Sequence, residues 1–247
     1  MSNPTPVQGK PLYIKYLTSD EVGQILQKRA QLIIPVGTTE QHGPHLPLGC
    51  DTIIVERLAD DLSTEFQILR APTIEYGVNA AMKSRYPGTA SLSRKTLHRL
   101  LNDLVASWEA GGIEQFIILT AHGQDPHQEA LSTLSSRHAT ISTVDIFAVP
   151  HIGSDGDSDI PIHGGELDTS LLLYVDATLV ELGRARDYVP LRRYIRRYHR
   201  GSPGAMPPDS PGSLGHPTRA TIEKGEQLYH VIYERIARRL FRREEVG

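Results

Sequence analysis

The run Leu32-Ile33-Ile34-Pro35-Val36 constrains this chain more than any other stretch. It is apolar, rich in β-branched residues and too short for a buried helix, so it reads as a buried strand. Gly37 breaks the run, and Gly43, Pro44, Pro47 and Gly49 mark a loop that ends at Asp51. Within that loop stand Glu40, His42, His45 and Asp51, all of them potential metal ligands or proton carriers. Ligands in open α/β sheets bind beyond the carboxyl ends of the strands, where this loop must fall. The stretch is read as the first half of a metal site.

The rest of the chain repeats the pattern. Ser19 is the expected N-cap of a short helix reaching Gln27. Asp51-Thr52 opens a second helix, roughly Ile53 to Ser63, and Gln67 to Ile74 reads as a strand. Ser93 caps an amphipathic helix whose apolar positions are Leu97, Leu100, Leu101, Leu104, Val105 and Trp108, closed by Gly111-Gly112. Phe116-Ile117-Ile118-Leu119 is the third buried strand, followed by the loop Thr120 to Asp125. A helix from Pro126 to about Ser136, a strand from Ile141 to Val149, a helix starting near Glu166 and a last one from about Ile222 to Phe241 follow. Strands alternating with helices predict an α/β fold, a doubly wound and mostly parallel sheet. Residues 1–11 are expected as a loose arm, 151–162 as a polar loop and 201–217, with five prolines, as a surface loop. The 247 residues suffice for one domain, and we expect 1–247 to form it.

Composition narrows the function. A net charge of −3 gives no reason to expect nucleic acid. No apolar run approaches the roughly 20 residues of a membrane span, and the polar N-terminus does not resemble a signal peptide. A single cysteine, Cys50, excludes an internal disulfide framework and suits a reducing compartment. Cytoplasmic location is the expectation.

Glu40 and His42 leave extended backbone on one face. Asp51 arrives at a helix start, His122 follows the third buried strand, and His163 and Glu166 precede another helix. Histidines and carboxylates converging on one sheet edge suit zinc, manganese or iron(II), and so many ligands favour two divalent ions bridged by a carboxylate over one. Each residue also has a plain structural reading. Asp51 can be a helix cap, His122 can satisfy backbone carbonyls, and Glu166 can favour a helix dipole.

The segment Pro35-Val36-Gly37-Thr38-Thr39-Glu40-Gln41-His42-Gly43-Pro44-His45-Leu46-Pro47-Leu48-Gly49, with Asp51, resembles the signature of the creatininase (creatinine amidohydrolase) family. The likeness continues at Tyr86-Pro87-Gly88-Thr89, at the His122 loop and at His163-Gly164-Gly165-Glu166-Leu167-Asp168-Thr169-Ser170. It ends at Gly215-His216-Pro217 and Ala220-Thr221-Ile222-Glu223-Lys224-Gly225. This resemblance implies a three-layer α/β/α sandwich and a metal-dependent amidohydrolase that forms a homo-oligomer, commonly a hexamer. By matching positions, Glu40, His42, Asp51, His122 and Glu166 would hold two divalent ions, zinc foremost, with Asp51 bridging. A metal-bound hydroxide would attack the amide, Glu166 would accept its proton, and His163 would protonate the leaving nitrogen. Gln124, Asp168 and Tyr86 are the expected substrate contacts.

The departures bear on substrate. True creatininases carry a carboxylate at the position of Gln124, and a glutamate is usual at Asp168. The histidine that often precedes the Pro-Gly-Thr segment is missing from 80–85. Trp108, the sole tryptophan, lies on a helix expected to face the core, so the aromatic pocket over a flat ring is lacking. These differences favour a lactam-type cyclic amide other than creatinine, with a formamide or small peptide-like amide as the alternative. A catalytically silent scaffold is the competing class. Arg192, Arg193, Arg196, Arg197 and Arg200, interleaved with Tyr194 and Tyr198, read as a solvated or subunit-contacting face, or as a clamp for an anionic substrate.

Overall fold

The structure, a computed structural model, describes residues 9–81, 86–148 and 163–242. In chain order the elements are β1 Leu12–Tyr13, α1 Ser19–Leu26, β2 Gln31–Val36, α2 Cys50–Phe66, β3 Leu69–Arg70, α3 Arg94–Ala110, β4 Gln115–Thr120, α4 Asp125–Ser132, β5 Thr140–Asp145, α5 Glu166–Asp176, α6 Arg192–His199 and α7 Ile222–Leu240, with short 3-10 turns between some of them. The strands form one sheet in the order β1-β3-β2-β4-β5, and every neighbouring pair is parallel.

Alternation along the strands supplies both faces. Ile33, Ile117 and Leu119 pack on one side with Ile54, Leu58 and Leu62 of α2, Leu171 of α5 and Ile232 of α7. Leu32, Ile34, Phe116 and Ile118 face the other way, against Leu97, Leu101 and Val105 of α3 and Leu131 of α4. Burying each of these large side chains contributes roughly 1.5–3 kcal/mol relative to exposure. Sheet and two helical layers together make the expected α/β/α arrangement.

The connections place the site. The chain leaves β2 through α2 to reach β3 on one flank, then crosses through α3 to β4 on the other flank of β2. β2 and β4 therefore flank the point where connections diverge, where α/β sheets open a crevice. Val36 lies opposite Thr120, so both strands stop at one level and their loops start side by side.

Several boundaries move. Thr18 caps α1, with a reciprocal bond from Glu21, so Ser19 is already helical. The strand expected over 67–74 shrinks to Leu69–Arg70 plus one isolated bridge, Val36 to Ile74. Leu12–Tyr13, just past the expected arm, adds an edge strand; residues 1–8 of that arm lie outside the described residues. Leu100 is 40% exposed, because the buried stripe of α3 is Leu97, Leu101 and Val105. β5 ends at Asp145, and Val149 and 151–162 fall outside the described residues. Among the described residues no helix is long and apolar enough to cross a membrane.

α7 crosses α5 at Gly225, where an added Cβ would lie 1.8 Å from Ser170 O. A helix-interior glycine costs about 1 kcal/mol against alanine, but only glycine permits this backbone approach. The contact fixes the α5 segment that carries Asp168 and Thr169.

Candidate metal centre

The loop after β2 brings Glu40 and His42 to the crevice, and the first turn of α2 brings Asp51, with Gly49 rather than Asp51 at the cap. The loop after β4 brings His122. All four side chains are buried. Asp51 joins them. Its Oδ1 lies 3.0 Å from His42 Nε2, and its Oδ2 lies 3.0 Å from His122 Nδ1 while accepting from Thr38 Oγ1 at 2.7 Å. Glu40 Oε2 lies 3.3 Å from the same His122 nitrogen and has no hydrogen-bond partner among the described residues.

Both histidines are oriented by backbone carbonyls. His42 Nδ1–H donates to Glu40 O at 2.9 Å, and His122 Nε2–H donates to Val78 O at 3.2 Å. Each neutral ring then turns a lone pair toward carboxylate oxygens. Only a proton or a cation can reconcile such facing acceptors. Burial opposes charge on His42, but Asp51 outweighs it and lifts the ring to about 10. His122 is likewise raised against burial by Glu40 and Asp51. Burial raises Glu40 to about 7, whereas the two histidines overcome burial and hold Asp51 well below the usual carboxylate range. Carbonyl-oriented imidazoles aimed at buried carboxylates are how proteins build metal sites. Three triplets of ligand atoms lie within 4.8 Å of one another: Glu40, Asp51, His122; His42, Cys50, Asp51; and Glu40, His42, His163.

His163 is buried against His42, with ring centroids 4.2 Å apart. Its Nε2–H donates to Gln41 O at 2.5 Å, and its Nδ1 accepts from Tyr198 OH at 2.8 Å. Burial, then His42, hold it well below the usual histidine value, hence neutral. Gly164 follows with φ of +62°, and a Cβ there would stand 2.5 Å from His42 O, so only glycine lets this segment close on the first loop.

Glu166 stands apart from these ligand triplets. It opens α5 but pairs with Lys224 Nζ at 2.5 Å, and its side chain is 32% exposed. As the first residue of the helix it points outward toward α7, and Asp168, two residues on, points inward. Asp168 is buried, accepts from Gly164 N at 2.6 Å, and is raised to about 6 by burial against the opposing field of His42. Gln124 stands at the N-cap position of α4 without a side-chain capping bond, and its Nε2 approaches Glu40 Oε1 at 3.4 Å. Tyr86 packs with Tyr198, Ala205, Met206 and Leu214.

Other contributors carried weaker signals. Tyr198 comes from the arginine-rich helix α6, where Ile195 and Tyr198 face inward and the arginines are exposed. Its hydroxyl also approaches Glu40 Oε1 at 3.4 Å. The proline-rich 201–217 stretch, expected as a surface loop, is ordered as a wall of the site. Gly212 O accepts from Gln41 Nε2 at 2.8 Å, and Leu214 N donates to His163 O at 2.7 Å. His127 supports the floor, pairing with Thr120 Oγ1 and Val78 N. His45 turns to Thr169 instead. Of the 80–85 segment, 82–85 lie outside the described residues.

The family model Creatininase, creatinine amidohydrolase, matches residues 15–240. The mycofactocin precursor peptide peptidase of Mycobacterium ulcerans (strain Agy99) is 30% identical over 210 residues, spanning 80% of this chain and 79% of that protein. Creatinine amidohydrolase of Pseudomonas putida is 26% identical over 228 residues, 83% of this chain and 86% of that one. The solved structure "Creatininase Mn" matches with a TM-score of 0.76 at 22% identity, over 94% of this chain and 99% of that one, a likeness of fold.

Proposed function

The chain belongs to the creatininase family, and from that premise we propose that it is a metal-dependent amidohydrolase that cleaves the C–N bond of a small amide at the β2–β4 crevice. One observation carries the reading: His42 and His122 both spend one ring nitrogen on a backbone carbonyl and aim the other at Asp51. Glu40, His42, Asp51 and His122 would hold the ions, two of them if Asp51 offers one oxygen to each side. Bound divalent ions would make a water nucleophilic near neutral pH and polarise the amide carbonyl. Asp168 takes the proton-accepting role expected of Glu166, being the buried carboxylate that α5 contributes. His163, beside His42, would pass a proton to the leaving nitrogen after first accepting one itself, since the neutral ring is not an acid. Tyr198 and Gln41 hold that ring in place, and the 201–217 wall limits water.

For substrate, we favour a short peptide-like amide over the cyclic amide expected from the sequence. The relatives named as peptidases are 29–30% identical to this chain, against 26% for the creatinine amidohydrolase. Trp108 packs into the helix α3 side of the core, which supports the absence of a tryptophan lid over a flat ring. Incubating metal-loaded protein with creatinine, lactams, formamides and short peptides, read by mass spectrometry, should show turnover of a linear amide and none of creatinine. Preference for a lactam would return the substrate to the cyclic class. No turnover by a metal-loaded protein would favour the scaffold instead.

A further inference from the structure

The two faces of α6 differ sharply. Ile195 and Tyr198 point inward, and the Tyr198 hydroxyl reaches the centre, donating to His163 Nδ1 at 2.8 Å. The outer face carries Arg192, Arg193, Arg196 and Arg197, with Arg200 at the C-cap, all of them exposed. Arg57, Arg70, Arg94, Arg184 and Arg242 each pair with a carboxylate. Among the described residues the α6 arginines meet none. Arg193 lies over the Tyr194 ring, and Arg197 donates to Pro203 O. Local stability does not account for them. Spacings of three and four set like charges side by side along the helix, which is destabilising. Arg192 and Arg193 stand in the first turn, where the helix dipole disfavours cations and no acidic residue offsets them. The chain as a whole carries −3, so this basic strip stands against an acidic background.

We propose that the outer face of α6 docks an acidic segment of a peptide substrate, holding its carboxylates while the amide lies at the centre on the other side of the helix. The inference rests on the peptide-like substrate proposed above. Guanidinium forks match carboxylates with two parallel hydrogen bonds, so an arginine strip suits Asp and Glu side chains. The scale fits a peptide as well. The eight residues of α6 span about 12 Å, the length of about four extended residues. One helix diameter, about 10–12 Å, separates the strip from the centre, which about four more extended residues bridge. A nucleic acid fits less well, because phosphate binding of that kind spreads over roughly six to ten contacts, and this chain is acidic overall.

The test uses the full chain and fluorescein-labelled peptides that differ only at one end: Gly-Ser-Gly-Ser followed by tetraglutamate, tetraglutamine or tetralysine. Fluorescence anisotropy at low salt should show the tetraglutamate probe binding at least about tenfold more tightly than either other probe, with the advantage shrinking as salt rises. Arg192→Gln with Arg196→Gln, and separately Arg193→Gln with Arg197→Gln, should each cut that preference at least about threefold. These side chains are exposed, so the dichroism spectrum should not change. Extending the amide identified by the substrate panel with the same acidic segment should lower KM and leave kcat nearly unchanged, as binding shared by ground and transition states does. Equal binding of the probes, or a glutamate preference that neither double variant reduces, would overturn the assignment to α6. Tighter binding of a labelled oligothymidylate than of tetraglutamate would overturn the peptide in favour of nucleic acid. Double variants that fall from oligomer to monomer in light scattering, while the unmodified chain ignores the acidic probe, would make the strip a subunit contact instead. Glutamate-selective binding without cleavage of any amide would keep the acidic-peptide dock and remove the hydrolase reading. Cleavage of an uncharged amide without such binding would do the reverse.

Discussion

Asp51→Asn is expected to keep the fold and lose kcat/KM by about a thousandfold or more. The asparagine preserves volume and the contact with Thr38, but it removes the charge that faces both histidines. Metal-assisted charge stabilisation supplies several kcal/mol of barrier lowering, and about 1.4 kcal/mol is a tenfold rate factor. Circular dichroism checks the fold, and kinetics on the amide identified by the substrate panel check the rate. Activity within about tenfold of the unmodified protein would remove Asp51 from the reaction, since loss of a bridging ligand cannot cost so little.

The second large effect separates two residues of one short segment. His163→Ala is expected to lower kcat by about a hundredfold to ten-thousandfold, the range for a positioned general acid, with metal content unchanged. Glu166→Gln should change kcat little and cost about 0–1 kcal/mol of stability, because it breaks only a partly exposed pair with Lys224. If Glu166→Gln were as damaging as His163→Ala, Glu166 would have to swing inward in the working enzyme, and Asp168 would lose the role given to it. Paired rates on the two variants decide between these.

The sequence made the layered sheet readable because β2 and β4 are fully buried runs. Such strands show as continuous apolar stretches, and Gly37 and Ala121 mark where each one ends. Glu40, His42, Asp51 and His122 were readable for the same reason, lying just past those strand ends. Glu166 and Asp168 could not be ranked from sequence. Both lie in the first turn of α5, and which one faces inward depends on the rotation of that helix, fixed by the α7 contact at Gly225 far along the chain. Tyr198 was masked by its neighbours, since five arginines around two tyrosines suggest a solvated face until Ile195 and Tyr198 are seen to share the buried stripe. The 201–217 wall was hidden because proline and glycine content reports turns but not what the turns are tied to. Its anchors are Gln41 and His163, both distant in sequence.

The central claim is that the facing acceptors of His42, His122, Asp51 and Glu40 are a cation site. Elemental analysis of the purified full-length chain, after dialysis against metal-free buffer, tests it most directly. The account predicts about two equivalents of divalent metal per chain, as expected of a carboxylate-bridged pair, with marked loss in Asp51→Asn. A well-folded chain that retains no divalent ion, and takes up none when offered zinc, manganese or iron(II), would contradict it.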